Sequence, residues 1–239
     1  MSEKNTSVPP VSSVGRVEIM DTTLRDGEQT HGVALAAEEK QTLAVQLLTH
    51  AGVDRIEVAS ARVSDGEKRA VSRITEWARE NDCGDAVEVL GFCDHTRSAD
   101  WAGEAGCSVM NLLAKGSFKH LEGQLRKTPE EHVQDIARTT EYCATHGIRC
   151  NCYPEDWSNG MLEDSDYCLW LIDQLVQLPI QRIMLPDTLG ILDPGRTYQF
   201  VRTVVERHPD QHFDFHAHND YGLATANSLA AAAAGAKGI

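Results

Sequence analysis

Along this chain, short apolar runs with strand-like alternation give way, again and again, to longer stretches with helical spacing. The first run is Val17 to Met20. It is followed by a helix pattern over Ala37 to Ala51, with Leu43, Leu47 and Leu48 on one face and Gly52 as the stop. Strand Arg55 to Ala59 precedes helix Gly66 to Glu80, where Ala70, Ile74, Trp77 and Ala78 share a side. Strand Val87 to Phe92 leads to helix Ser98 to Ala105. Strand Val109 to Leu113 leads to helix Pro129 to His146, which opens on Thr128-Pro129-Glu130-Glu131 with an N-cap, a first-turn proline and two acids. Three more pairs follow: Ile148 to Tyr153 with Asp164 to Val176, Arg182 to Leu185 with Arg196 to Arg207, and Phe213 to His216 with Gly222 to Ala234. Lys237-Gly238-Ile239 begins an eighth strand.

Strand–helix units repeated at roughly thirty-residue spacing predict an α/β fold with a parallel sheet and right-handed crossovers. An open doubly wound sheet satisfies that pattern, but eight units in ~250 residues fit a (β/α)8 TIM barrel better. On this reading residues 16–239 form one catalytic barrel domain, truncated at the start of strand eight, which leaves the edges of strands one and seven unpaired and open to aggregation. Residues 1–15, rich in Ser, Val and Pro, read as a disordered tail and lack the apolar core of a signal peptide.

Composition narrows the function. A net charge of −14 over 239 residues opposes a broad nucleic-acid or anionic-membrane surface. No stretch approaches the ~20 apolar residues of a membrane span. The seven cysteines are an odd number in a chain too large to need staples, and they read as reduced thiols of a cytoplasmic protein.

The candidate chemistry sits where strands end. Asp21-Thr22-Thr23-Leu24-Arg25-Asp26-Gly27-Glu28-Gln29 crowds a cation and carboxylates after the first strand. Near the other end, His216 and His218 stand two apart on an extended run, so both rings leave one face. Two imidazoles and a carboxylate make a seat for a divalent cation. Along the seventh strand, Asp214, His216 and His218 alternate with Phe213, Phe215 and Ala217, which suits a polar lumen and an apolar outer face. Glu57, inside the second strand, needs a cationic partner, and Arg25 on the neighbouring strand is the candidate. Ser117, His120, Glu155, Asp187 and Thr188 occupy other strand ends. Taken singly, Asp187 or His120 reads as a loop residue or helix cap, and the histidine pair as ligands or core histidines. Their collection at one rim points to a site.

The segments Asp21–Gln29 and His216-Ala217-His218-Asn219-Asp220 resemble the 2-isopropylmalate, homocitrate and citramalate synthase family, related to hydroxymethylglutaryl-CoA lyase; Gly222 to Ala231 is also similar to the helix after the histidine pair in 2-isopropylmalate synthases. The resemblance implies Asp26, His216 and His218 as ligands of Mg2+, Mn2+ or Zn2+, with acetyl-CoA as co-substrate and a 2-oxo acid as acceptor. It implies Arg25 as stabiliser of an enolate or alkoxide oxygen, Glu57 as the residue orienting it, and Glu155 as an acid/base glutamate. Gln29, Thr188, Ser117 and His120 become substrate-binding residues, and the complete protein a homodimer. The chemistry implied is a Claisen condensation, with 2-oxoisovalerate, and so leucine biosynthesis, favoured. Pocket size, set by residues such as Ser60, Arg62 and His95, would choose the acid. The rivals are a carbon–carbon lyase on the same seat, an iron oxygenase built on two histidines and a carboxylate, and an inactive barrel fragment.

Overall fold

Seven parallel strands stand side by side in chain order. They are β1 (Met20–Asp21), β2 (Arg55–Ser60), β3 (Val87–Phe92), β4 (Val109–Lys115), β5 (Arg149–Glu155), β6 (Ile180–Asp187) and β7 (His212–Ala217). Between them run α1 (Ala37–Gln46), α2 (Asp65–Glu80), α3 (Arg97–Glu104), α4 (Pro129–Thr145), α5 (Trp157–Glu163), α6 (Ser165–Leu175) and α7 (Pro194–Arg207), with α8 (Ala224–Ala234) after β7. This computed structural model describes residues 15–239, so the expected tail lies outside the described residues except for Gly15.

The sequential order excludes the doubly wound alternative, in which strand order reverses at a switch point. It fits a (β/α) barrel in which residues 237–239 occupy the eighth-strand position between the first and seventh. The expectation of bare edges is corrected at the base of the sheet. Gly238 forms parallel bridges to Glu18 on one side and Asp214 on the other. The Ile239 and Met20 N–H groups donate to Glu18 and Ile239 carbonyls (2.9 and 2.8 Å), and the Lys237 and Phe215 N–H groups donate to Phe213 and Gly238 carbonyls (2.8 and 3.0 Å). Only glycine fits at 238, because a Cβ there would lie 2.3 Å from the Asp214 carboxylate.

Two differences from the expected elements have physical causes. The first helix ends in a π turn, Leu47–Ala51, closed by Gly52 at φ 70°, the left-handed pose glycine takes without a Cβ penalty. Helix α5 has no periodic signature, and its Trp-Ser-Asn-Gly sequence is a weak helix former. Tertiary contact holds it: a Cβ on Gly160 would fall 2.3 Å from Cys168 Sγ and 2.7 Å from the Gly116 carbonyl.

Strand alternation divides the interior into two shells. Val58, Val89, Leu112, Cys152, Leu185, Phe213 and Phe215 face outward into one apolar core under the helices. Leu90, Tyr153 and Met184 form a second, smaller cluster inside the barrel. The seven cysteines are all free. No helix among the described residues is long and apolar enough to cross a membrane.

The rest of the lumen is a polar column. At its base, buried Arg55 donates to Glu88 (3.0 Å) and to Asp214 (2.5 Å). His212 Nε2 lies 2.8 Å from Asp214, and Arg182 reaches Glu18 at 2.7 Å. Asn151 donates to Glu88 (3.3 Å) and to the Asn111 carbonyl oxygen (2.9 Å), and Asn111 donates to Glu57 (2.7 Å). Burial works to raise the Asp214 carboxyl, but the bond from His212 and the charge of Arg55 hold it below the usual carboxylate range.

Stripping one partner from such a buried set leaves unpaired charge and costs on the order of 3–5 kcal/mol. Arg55→Ala is therefore expected to lower the urea midpoint by a corresponding amount, and an unchanged midpoint would show that the column contributes nothing. Because the Asp214 pKa is depressed in the folded state, its contribution is present above the usual carboxylate range and is lost as pH falls through the folded value. Asp214→Asn should flatten this acid-side loss in thermal melts.

Candidate functional site

The rim begins with a tight turn. The Thr22 carbonyl accepts from the N–H groups of Arg25 (3.1 Å), Asp26 (2.8 Å) and Gly27 (3.1 Å), which turns both functional side chains over the barrel mouth. Lys40 of α1 holds the turn from behind. Its buried ammonium donates to the Leu24 carbonyl (3.2 Å) and to Glu67 (2.6 Å), and it pairs with Glu28. Glu28 in turn accepts from the Leu35 N–H (3.0 Å).

Across the mouth, His216 lies one residue before the end of β7 and His218 directly follows the strand. Each presents Nε2 at 3.5 Å from Asp26 Oδ2, and their ring centroids are 5.1 Å apart. One ligand atom from each of the three residues lies within 4.8 Å of the other two, and among the described residues this is the one such cluster. The hydrogen bond from His216 brings the Asp26 carboxyl down to about 2, with Arg25 and both histidines adding to it against burial. Burial, followed by the charge of His216, lowers His218 below the ordinary imidazole value, which favours the neutral ring a metal needs. One carboxylate and two imidazoles suit a divalent cation of intermediate hardness.

Arg25 is shared between two acids. Its Nε donates to Glu57 at 2.5 Å and its NH1 to Asp26 Oδ1 at 2.9 Å. Burial disfavours its charge, but Glu57 and Asp26 outweigh that and raise its pKa. A cavity of about 180 Å3 opens beside these groups. Gln29, Glu155 and Thr188 line it with the metal-type residues. Its apolar wall is Leu90, Leu113, Tyr153 and Pro186. Tyr153 meets His216 edge to face at 5.6 Å, and burial pushes its phenol far up, so it stays protonated.

Several expectations are refined here. Ser60, Arg62 and His95 are not among the residues lining this cavity, and Arg62 instead pairs with Asp94 (2.6 Å). Ser117 and His120 also lie outside the lining. Ser117 donates to Asp156 (2.7 Å), and His120 Nε2 stands 3.5 Å from the same carboxylate. Glu155 is ion-paired with Lys115. Asp187, read as a loop residue or helix cap when taken alone, is neither: it ends β6 fully buried, and its carboxylate accepts from the Ile191 and Leu192 N–H groups (3.1 and 3.0 Å), closing the loop ahead of α7, whose N-cap is Asp193.

A family model described as HMGL-like matches residues 16–239. The chain belongs to the HMGL-like family. This HMGL-like chain is 35% identical to a 2-isopropylmalate synthase of Sulfurisphaera tokodaii over 225 residues, covering 94% of this chain and 56% of the relative. It is 38% identical to a protein named as an (R)-citramalate synthase in Methanothermobacter thermautotrophicus (94% and 43%) and 33% identical to a homocitrate synthase of Sulfolobus acidocaldarius (92% and 46%). The chain thus spans about half the length of the curated relatives it matches. Among solved structures, hydroxymethylglutaryl-CoA lyase from Pseudomonas aeruginosa superposes with a TM-score of 0.76 at 21% identity, over 93% of this chain and 75% of that one. The carboxyl transferase domain of Rhizobium etli pyruvate carboxylase reaches 0.70 at 16% (93% and 39%). At these identities the structural likeness shows the barrel fold.

Sequence reasoning missed Asn111, Asn151, Leu90 and Leu113, and gave no role to Asp156 at the end of the fifth strand. Asn111 carried a usable signal, since a lone amide inside the apolar strand Val109-Met110-Asn111-Leu112 is a buried polar group in need of partners. The leucines carried none, because an apolar residue facing the lumen reads like one facing the helices. If the three convergent groups are ligands, His216→Ala and Asp26→Asn should each remove Mn2+ binding measured by EPR on dialysed protein. Full retention in both would rule the cluster out as a metal centre.

Proposed function

We propose that this chain carries the condensing site of an acyltransferase that joins acetyl-CoA to a short aliphatic 2-oxo acid in the cytoplasm, working as a homodimer. The observation that supports this reading best is the convergence of Asp26, His216 and His218 beside the doubly paired Arg25. Asp26, His216 and His218 would hold a divalent ion, Mg2+, Mn2+ or Zn2+. When bound, such an ion supplies Lewis-acid polarisation to a 2-oxo acid.

The chain's own residues account for the rest. Arg25 is the donor aimed at the oxygen that gains negative charge as the carbon–carbon bond forms. Glu57, sealed in the lumen, prevents the guanidinium from swinging wholly onto Asp26. Thr188 lies in the cavity to donate to the acid's carboxylate, and Gln29 is a second polar lining residue available to the acid. Glu155 is the carboxylate at the wall placed to carry a proton. A base takes a methyl proton from acetyl-CoA, the enolate's electron pair attacks the acceptor's carbonyl carbon as the C=O π bond breaks, and the alkoxide formed beside Arg25 takes up a proton. Hydrolysis of the thioester then releases CoA and makes the condensation irreversible.

The apolar wall bears on the choice of acid. Leu90 and Leu113 offer nothing to a second carboxylate, the Tyr153 hydroxyl is directed at Met20 Sδ (4.0 Å), and the nearby Lys115 is engaged by Glu155. This disfavours 2-oxoglutarate. The overall resemblance favours 2-oxoisovalerate. The second reading, pyruvate and hence citramalate synthesis, is supported by the bulk of Tyr153 and both leucines around a cavity of about 180 Å3.

Thiol release from acetyl-CoA, followed separately with the three acids, tests the reading. Release with 2-oxoisovalerate or pyruvate and none with 2-oxoglutarate is expected. Cleavage of a hydroxyacyl-CoA without any condensation would assign the lyase reaction instead, and oxygen consumption would assign the iron enzyme. Arg25→Ala should lower turnover a hundredfold or more, the scale of one lost electrostatic donor, and unchanged turnover would remove Arg25 from the chemistry.

A further inference from the structure

One cluster beside the cavity has no role in the chemistry above. Asp156 follows β5 and holds φ 66°, the left-handed region, although it is not glycine. That pose is strained for a residue with a Cβ and persists where surroundings impose it. The surroundings here are specific. The Asp156 carboxylate is almost wholly buried and accepts from the Ser117 hydroxyl (2.7 Å) and the Asn159 amide (2.7 Å). His120 Nε2 approaches the same oxygen as Ser117, at 3.5 Å. Ser117 is fixed in its turn by accepting from the His120 N–H (3.2 Å). The backbone permits this approach because residues 116 and 160 are glycines: a Cβ on Gly116 would lie 2.3 Å from the Pro154 carbonyl oxygen.

The consequence falls on Thr188. With its carboxylate fixed, Asp156 directs its own N–H onto Thr188 Oγ1 at 2.9 Å. A hydroxyl that accepts along one lone pair has its proton on a different bearing. Thr188 lines the cavity with Arg25 and the two histidines, so its proton is free to be donated there. We infer that Asp156, anchored by Ser117, Asn159 and His120, is a positioning residue that locks the Thr188 hydroxyl as a donor toward an anionic acceptor substrate. Ser117 and His120 then act through Asp156 and not on substrate. The inference deepens the proposed function and rests on its placement of a 2-oxo acid carboxylate at Thr188.

Asp156→Gly separates the possibilities. Glycine keeps the backbone N–H and adopts φ 66° without strain, so the substitution removes only the anchor. If the aspartate were merely a strained turn residue, this variant would be as stable as wild type or more so, with Thr188 undisturbed. If it is an anchor, Thr188 should change from one χ1 rotamer to averaged rotamers, read from three-bond couplings to its labelled methyl group. Ser117→Ala should move the couplings the same way by less, which keeps the measurement available if the glycine variant folds poorly. A Thr188 locked in its wild-type rotamer in both variants overturns the inference, with or without any substrate.

Binding of 2-oxoisovalerate and pyruvate to the Mn2+-loaded chain, by calorimetry, provides the second readout. Asp156→Gly and Thr188→Val should each weaken the acid that binds by about tenfold, the scale of a hydrogen bond to a charged group, and the double variant should be no weaker than Thr188→Val. Multiplying effects in the double variant overturn the coupling. Unchanged binding in Thr188→Val, with Thr188 rotamers released in Asp156→Gly, would leave the anchor standing while removing Thr188 from the proposed substrate site.

Discussion

Arg25 carries a charge that is nine-tenths withdrawn from water, and the order of the lumen follows from the need to satisfy it. Glu57 takes its Nε, and NH1 goes to a single oxygen of Asp26, Oδ1. The other oxygen, Oδ2, is left facing His216 and His218. Without Glu57 the guanidinium would gain by forking onto both oxygens of Asp26, and the carboxylate would be lost to the histidines. Glu57 is equally dependent on what lies below it. It is fully buried, and its second oxygen is satisfied by Asn111. Asn111 must present its amide nitrogen upward because a carboxylate only accepts. Its oxygen therefore faces Asn151, which passes the constraint to Glu88 and Arg55. A charge required at the mouth is thus compensated through the depth of the barrel.

This arrangement explains why the apolar core lies outside the sheet. The outward faces of the strands meet the helices in one continuous core. The inward faces hold a small apolar cluster of Leu90, Tyr153 and Met184 among charged and amide groups. Such a lumen gains little from hydrophobic burial and is held by pairing, so losing a single partner is costly. The apolar trio still has a part to play. Two of its members, Leu90 and Tyr153, join Leu113 and Pro186 in giving the cavity a dry wall, where fixed donors and charges act more strongly than in water.

The barrel is shared with hydroxymethylglutaryl-CoA lyase and with a carboxyl transferase domain, so the architecture alone does not select a reaction. Selection lies in the side chains that the rim brings together. Here the rim offers a metal-type cluster, a fixed cation, a threonine held as a donor and an aliphatic wall. Relatives at about one-third identity bear three different synthase names, so membership of the family does not select a substrate either.

What the amino-acid order determined by itself is the repeat and the chemistry at the strand ends. The alternation along Phe213-Asp214-Phe215-His216 is a local property of an extended chain, so it declared both the outer face and the ligand face. Thr128-Pro129-Glu130-Glu131 marked a helix start in the same way, and the structure begins α4 there with its capping box formed. Distances across the barrel were not local. That Asp26 meets residues some 190 positions away followed only from strands closing in sequence around a common axis. Ser117 and His120 looked like substrate groups at a strand end, yet two glycines let the chain draw them onto Asp156 instead. Leu90 and Leu113 had no signal, because a leucine carries none about which side of a sheet it faces. Only closure of the sheet decides which alternate residues share the small interior volume, and it is there that the cavity wall is set.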